Sequence, residues 1–318
     1  MKKTIALLCL LALSYGASAQ QYPDRPIHLV VPFGPGGFTD VAARILQKEL
    51  QPVLGQPIVV ENKAGAGSTI GTDYVAKAPP DGYNLVMVST THVISPHLYK
   101  DIPYDPVKDF APVMKLAEGP YVLVVNSKTP YNSVKDLIAA AKANPGSIDF
   151  ASSGNGSSQH LVAALFMNMT GAKLNHIPYK GSNQAMQDVI GGQVPVSFVG
   201  LPNALPNVSS GKIRALAVTT KKRHPDLPNV PTMEEAGVPG YDATIWLALL
   251  APKGTPADVV QKINAAVTQV LSRPDARKLM NSAGVNVATS SPEELEKLLV
   301  SELDRWGKVV KETGAVVN

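Results

Sequence analysis

Strand-like and helix-like patterns alternate along this chain, and that alternation narrows the available folds more than any other feature. Ile27-His28-Leu29-Val30-Val31 reads as a buried strand. Pro32 to Gly37 breaks it, and Val41 to Leu54 then carries apolar residues at helical spacing. Ile58 to Val60, Leu85 to Val88, Val122 to Val125, Ile148 to Ala151, Val194 to Phe198, Ile213 to Val218 and Thr244 to Leu250 continue the strands. Helices between them are expected at Val134 to Ala143, Gln159 to Met169 and Ala185 to Ile190. Short apolar runs separated by helices build an α/β protein, here expected to have largely parallel sheets. The C-terminal part differs. Thr255-Pro256-Ala257-Asp258 reads as a helix start, with Thr255 as cap and Pro256 at the first position. Ser291-Pro292-Glu293-Glu294 repeats the device and adds a capping-box glutamate. These starts predict long amphipathic helices over 256–272 and 292–312, with a shorter one near 274–283.

The first residues stand apart from this pattern. Lys2 and Lys3 precede an apolar run from Ile5 to Leu13, and Ala17-Ser18-Ala19 is a small-x-small cleavage signature. Residues 1–19 are read as a secretory signal peptide, too short to anchor in a membrane. Cleavage after Ala19 removes two of 29 cations, leaving 27 against 25 anions. It also removes Cys9, the single cysteine, so the exported protein would have neither a disulfide nor a cysteine metal site. Cys9 sits behind Leu8 inside the apolar run, a poor setting for lipid attachment. A near-neutral chain with no basic stripe is not expected to bind nucleic acid. A 45% hydrophobic share is ample for a packed core, and a 17% charged share argues against a disordered tail.

Two glycine loops run from a strand into a helix. Pro32-Phe33-Gly34-Pro35-Gly36-Gly37-Phe38-Thr39-Asp40 follows the first strand. Ser152-Ser153-Gly154-Asn155-Gly156-Ser157-Ser158-Gln159-His160 follows the strand ending at Ala151. The first amides of a helix lack intrahelical partners and carry the positive end of its dipole. Glycines let a ligand reach that backbone, which makes an anion site without a charged side chain. The plain alternative for the first loop is a turn capped by Thr39 or Asp40. No Gly-Lys-Ser/Thr of a phosphate loop follows the first loop, and Gly34-Pro35-Gly36-Gly37 lacks the dinucleotide spacing.

Catalytic and metal chemistry find less support. His160 lies close to Ser157 and Ser158, but no Gly-x-Ser-x-Gly elbow surrounds either serine and no orienting acid completes the set. His92 and His97 are five apart, off the i, i+4 spacing of a helical zinc pair. His28 and His176 read as single structural histidines, and Lys221-Lys222-Arg223-His224 as a solvated turn. Trp246 reads either as core or as a wall of a pocket.

Further landmarks run in order along the chain. Val31 to Gly37 with Thr39-Asp40 is followed by Val60-Glu61-Asn62-Lys63 with Gly65-Ala66-Gly67, and by Ala76 to Tyr83. Pro103-Tyr104-Asp105-Pro106 with Asp109-Phe110, Ala151 to Leu161, and Pro178-Tyr179-Lys180-Gly181 come next. Gly191-Gly192-Gln193-Val194, Arg214 to Val218 and Ala251 to Pro256 close the series. Over essentially the whole mature chain this series resembles the Bordetella uptake gene family, the periplasmic solute receptors of tripartite tricarboxylate transporters. The resemblance implies a two-lobed periplasmic binding fold with a ligand cleft between the lobes. Lobe one would comprise 20–120 plus 230–318, and lobe two 121–229. The lobes would close on the ligand by hinge motion.

The resemblance also implies a non-enzymatic, monomeric receptor without cofactor, which passes a small organic carboxylate to membrane transporter subunits. Binding roles carry over to Phe33, Gly34, Gly37, Thr39 and Asp40 in lobe one. In lobe two they carry over to Ser153, Gly154, Ser157, Ser158 and His160, with Thr90, Tyr179, Gly181 and Ser182 as additions. The family commonly places acids where this chain has Pro195 and Val199. The second can face the cleft in amino-acid receptors, so its absence favours a carboxylate without an amine. The competing readings are a periplasmic hydrolase using Ser157 or Ser158 with His160, and a receptor that signals to a sensor protein.

Overall fold

A computed structural model describes residues 22–282 and 285–314; residues 1–19, read above as a signal peptide, lie outside the described residues, Cys9 among them. Strand β1 (Ile27–Val31) leads into helix α1 (Phe38–Leu54) and parallel strand β2 (Ile58–Asn62). Helix α2 (Thr69–Ala76) returns the chain to β3 (Asn84–Ser89), parallel to β1 on its other side, and α3 (Thr91–Leu98) follows at once. The 17-residue strand β4 (Phe110–Asn126) then passes from one lobe to the other. Lobe two holds α4 (Val134–Ala143), β5 (Asp149–Ser152), α5 (Ser158–Thr170), β6 (Asn175–Pro178), α6 (Ser182–Gly191), β7 (Val196–Gly200), α7 (Leu201–Ser209) and β8 (Ile213–Val218). The chain returns through β9 (Thr244–Pro252) and ends with α8 (Ala257–Ser272), α9 (Pro274–Ser282), β10 (Asn286–Val287) and α10 (Pro292–Thr313).

The α/β class is as expected, but the sheet is mixed and not largely parallel. Among the described residues, parallel strand pairing is limited to β1 with β2 and β3, and β5 with β6 and β7, apart from an isolated parallel bridge between Val218 and Thr232. The cause is β4, which runs antiparallel to all its partners: β9, β7, β8 and β10. From Phe110 to Pro120 it pairs with β9, and from Tyr121 onward with β7 and β8. Each lobe is thus a parallel βαβ unit joined to a shared antiparallel strand. Only the second half of β4 reads as a strand in sequence. Pro112, Gly119 and Pro120 interrupt the first half, and register shifts absorb the irregularity between Pro112 and Met114 and between Lys115 and Ala117.

Three chain passages meet at the crossing and are tied by one hydroxyl. Thr219 Oγ1 accepts the Tyr121 amide at 2.9 Å and donates to the Ala243 carbonyl at 2.5 Å. Thr219 is fully buried there. One apolar core extends from β1, β3 and β9 through β4 into lobe two, reaching Phe150, Leu161 and Phe166. A second core, with Val122, Val124, Met186, Val199 and Val218, fills the other face of the lobe-two sheet.

The C-terminal helices hold to expectation with one correction. Ser291 Oγ accepts the Glu294 amide while the Glu294 carboxylate accepts the Ser291 amide, closing the capping box. Thr255 does not cap α8: its hydroxyl donates to the Pro252 carbonyl at 2.8 Å, and Pro256 keeps an extended backbone at the N-cap. Along α10, buried Leu295, Leu299, Glu302, Trp306 and Val310 form one stripe that packs on α3, β4 and α5.

Candidate functional site

Four helices begin at the face between the lobes. Gly37 starts α1, Ser157 starts α5, Gly181 starts α6 and Gly200 starts α7. Three of the four starts have no side-chain cap; at the fourth, Ser157 Oγ accepts the His160 amide at 3.3 Å. Together they surround a cavity of about 40 Å³. Tyr121 and Ile245 close it from the crossing strands, and Ser89 from the end of β3. Among the described residues none of those lining it carries a formal charge. Helix dipoles and hydroxyls are therefore its electrostatics, and they favour an anion. The volume suits a carboxylate head and little more.

The lobes touch around this cavity. Thr91 Oγ1 donates to Ser158 Oγ at 3.1 Å and accepts the Ser158 amide at 3.1 Å. The Tyr121 hydroxyl also donates to Ser158 Oγ. Asn183 Nδ2 donates to the Pro35 carbonyl at 3.2 Å, and Asn203 Nδ2 donates to Asn183 Oδ1 at 2.8 Å. Gln159 braces the lobe-two wall by accepting the Ser153 amide at 2.7 Å and donating to Ser182 Oγ at 3.2 Å. A Cβ placed on Gly181 would sit 3.8 Å from Gly34 Cα, so the two backbones almost meet.

Of the expected binding residues, Phe33, Gly34, Gly37, Thr39, Ser153, Ser158, Gly181 and Ser182 line the cavity. Gly154, Ser157 and Tyr179 line a second hollow of about 530 Å³ that shares Phe33 and Ser153 with the first. Its far wall is the Ala64–Ser68 segment, where Ala66 and Ser68 hold positive φ of 43° and 77°. The Ser68 hydroxyl there is buried without a partner. Lys180 and Tyr99 complete the hollow.

Three expected residues line neither hollow. Asp40 is buried and braces the loop: its carboxylate accepts the Gly36 amide at 2.8 Å, Arg44 Nε at 2.8 Å and Asn62 Nδ2 at 2.8 Å. Burial raises its pKa, but the hydrogen bonds from Arg44, Gly36 and Asn62 outweigh this and hold the carboxyl below its usual range. Thr90 Oγ1 accepts the Trp246 amide at 3.1 Å and so ties β3 to β9; its neighbour Ser89 faces the cavity instead. His160 turns into lobe two and stacks on His176, with ring centroids 4.1 Å apart. Its Nδ1 accepts the Gly156 amide at 3.3 Å, and burial pushes its pKa down to about 4.

Other sequence expectations are corrected too. Val199 packs in the second core of lobe two, and Gly200 beside it lines the cavity. An acid at 199 would therefore not face the cleft. His224 is buried rather than solvated, and bonds to Asn286 through Nε2 at 3.0 Å. His92 is buried against Tyr104 and Phe110, with Nε2 on the Pro106 carbonyl at 2.7 Å. Trp246 lines no part of the cleft; its indole N–H donates to buried Glu302 at 3.1 Å.

Sequence reasoning missed Phe38, Ser89, Tyr121, Gln159, Gly200, Asn203 and Ile245. Gly200-Leu201-Pro202-Asn203 carried a signal, because it is a third strand-to-helix junction with glycine at the start and proline in the first turn. Tyr121 and Ile245 carried none, since which side of a buried strand faces a cleft is set by tertiary packing.

Known proteins resemble this chain over most of its length. A family model described as tripartite tricarboxylate transporter family receptor matches residues 42–315. Protein BugT of Bordetella pertussis is 42% identical over 300 residues, spanning 94% of this chain and 92% of that one. The solved periplasmic binding protein BugD is 38% identical with a TM-score of 0.89, over 93% of this chain and 99% of that one. A solved R. palustris protein with adipate is also 38% identical, with a TM-score of 0.90 over 93% and 99% of the two chains. The chain belongs to the tripartite tricarboxylate transporter receptor family.

Proposed function

We propose that the mature chain is a periplasmic receptor that captures a small organic carboxylate and delivers it to membrane subunits of a tripartite tricarboxylate-type transporter. The observation that carries this reading is the convergence of four helix N-termini on a cavity without a charged lining residue. A carboxylate head occupies the inner cavity, held by main-chain amides and by Thr39, Ser158 and Ser182. The rest of the ligand runs past Phe33 and Ser153 into the outer hollow, toward Tyr99, Ser68 and Lys180. That path suits an elongated acid, such as the adipate of the R. palustris relative. Lobe one comprises 20–120 plus 230–318 and lobe two 121–229, with the signal peptide removed after Ala19. The protein works as a monomer.

A hydrolase reading gains nothing from the geometry. Ser158 Oγ is engaged by Tyr121 and Thr91, and the His160 ring stacks away from it on His176. A nucleophile without a base in reach is not activated. A thermal-shift screen of the mature protein against mono-, di- and tricarboxylates tests the proposal. Ligand at about 100 times its Kd adds roughly 2.7 kcal/mol. A carboxylate should stabilise the wild type and not a folded Gly37→Val protein, whose methyls enter the gap toward Ser182. Equal stabilisation of both would move the site elsewhere.

A further inference from the structure

The strands at the lobe crossing have two working faces. Tyr121 of β4 and Ile245 of β9 face the ligand cavity. Pro120 of β4, with Thr244 and Trp246 of β9, lines a separate pocket of about 370 Å³. Alternation along a strand sends neighbouring side chains to opposite faces, so one layer of backbone divides the two hollows. The rear pocket is completed by Thr220, Lys222, Arg223 and His224, which begin one residue beyond the Thr219 tie. Chain entering the crossing and chain leaving it therefore both form its walls.

Its charge is unbalanced. Lys115, Lys222, Arg223 and Arg305 line it, against Glu118 and Glu302. Both carboxylates are already engaged. Glu118 pairs with Lys115 at 3.0 Å, and Glu302 takes Arg305 at 3.0 Å plus the indole N–H of Trp246 and of Trp306, each at 3.1 Å. Arg223 pairs outward with Glu235 at 2.8 Å. Lys222 is exposed and makes no ion pair among the described residues. Thr220, Thr244 and Asn286 add neutral polar groups. A concave, cationic surface with one uncompensated ammonium fits an anion.

We propose that this rear pocket is a second binding site, for a small multivalent anion, and that its occupancy biases the angle between the lobes. A pocket walled by chain on both sides of a hinge changes shape when the hinge moves. An anion that fits one arrangement better shifts the equilibrium toward it, and the carboxylate site must respond reciprocally. The coupling rests on the receptor reading above; the anion site itself does not.

The test titrates the mature protein with inorganic phosphate at constant ionic strength and follows its tryptophan fluorescence, because Trp246 lines the pocket and Trp306 shares the Glu302 partner of Trp246. A saturable change is expected in the wild type. Lys222→Glu should shift its midpoint at least five-fold upward while leaving carboxylate binding intact, because Lys222 touches neither cleft hollow. Gly37→Val should leave the phosphate midpoint in place even where it abolishes carboxylate binding, which separates the two sites. No saturable change, a midpoint indifferent to Lys222→Glu, or a response lost with Gly37→Val would each overturn the proposal.

Discussion

Gly36→Ala is the most demanding test of how the lobes meet. Gly36 has φ +79°, and a Cβ built there lies 2.0 Å from Asn183 Nδ2 on the opposite lobe. Two separate costs follow. The left-handed backbone penalises any L side chain by roughly 1–2 kcal/mol, whether or not ligand is bound. The clash acts only when the lobes close. Asn183 is exposed and can swing aside, but it then gives up its bonds to the Pro35 carbonyl and from Asn203 Nδ2. At about 0.5–1.5 kcal/mol net each, closure weakens by roughly 1–3 kcal/mol, or about 5- to 150-fold in Kd. Asn183→Ala removes the same two bonds without touching the backbone. The Asn203 bond lies within lobe two and is lost with or without ligand, so Asn183→Ala should weaken closure only through the Pro35 bond, by about 0.5–1.5 kcal/mol, and cost a similar amount of unliganded stability. In the double mutant the clash is gone and the bonds are already lost, so affinity should match Asn183→Ala alone. Calorimetry with the best carboxylate from the screen gives the affinities, and urea denaturation of the unliganded proteins gives the stabilities. Losses that multiply in the double mutant, or wild-type affinity in Gly36→Ala, would refute the argument.

Three other outcomes follow from single contacts. Burial pushes the pKa of His92 and of His160 down to about 4, and that of His176, under burial and the nearby His160, to about 3. The unfolded chain binds these protons first, so stability is full above about pH 6.5 and falls as the pH drops toward 4. His92 alone contributes a loss of about 2 kcal/mol between pH 7 and pH 5, and equal urea midpoints at the two values would contradict it. Thr219→Val strands the Tyr121 amide and the Ala243 carbonyl at the crossing, at about 1–3 kcal/mol each; an unchanged urea midpoint would show that the tie is idle. Val199→Asp puts a charge into the second core and should destabilise the protein by several kcal/mol; a stable variant with weakened carboxylate binding would instead place residue 199 in the cleft.

Local signals were legible in the sequence, and the facing of individual side chains was not. The strand starting at Ile27, the helix Val134–Ala143 and the capping box at Ser291 each depend on a few neighbouring residues, and each stands where it was expected. Elements whose pattern is weak locally went unread. Helix α7 holds Pro202 and Pro206, α3 holds Pro96, and β6 is a short, half-exposed edge strand. Their stability comes from packing, which one stretch of sequence does not contain.

The misplaced site residues share a physical cause. Thr90 was expected to face the cavity where Ser89 does, an acid at 199 was read as facing the cleft where Gly200 does, and His160 was expected where its neighbour Gln159 lies. Each error is one position. On a strand one position reverses the face, and on a helix it turns the side chain by about 100°. The glycine junctions escaped this error because their contribution is main chain. An amide at a helix start points along the axis whatever the neighbouring side chains do. Asp40 marks the same division. The family resemblance carries a binding role to it, yet a carboxylate facing the cavity would repel the anion that four helix N-termini attract. Turned inward, it ties Gly36, Arg44 and Asn62 together and sets the loop that presents Gly37. A charge next to a dipole-built anion site thus does its work from behind, through backbone position, and the cavity stays free of formal charge.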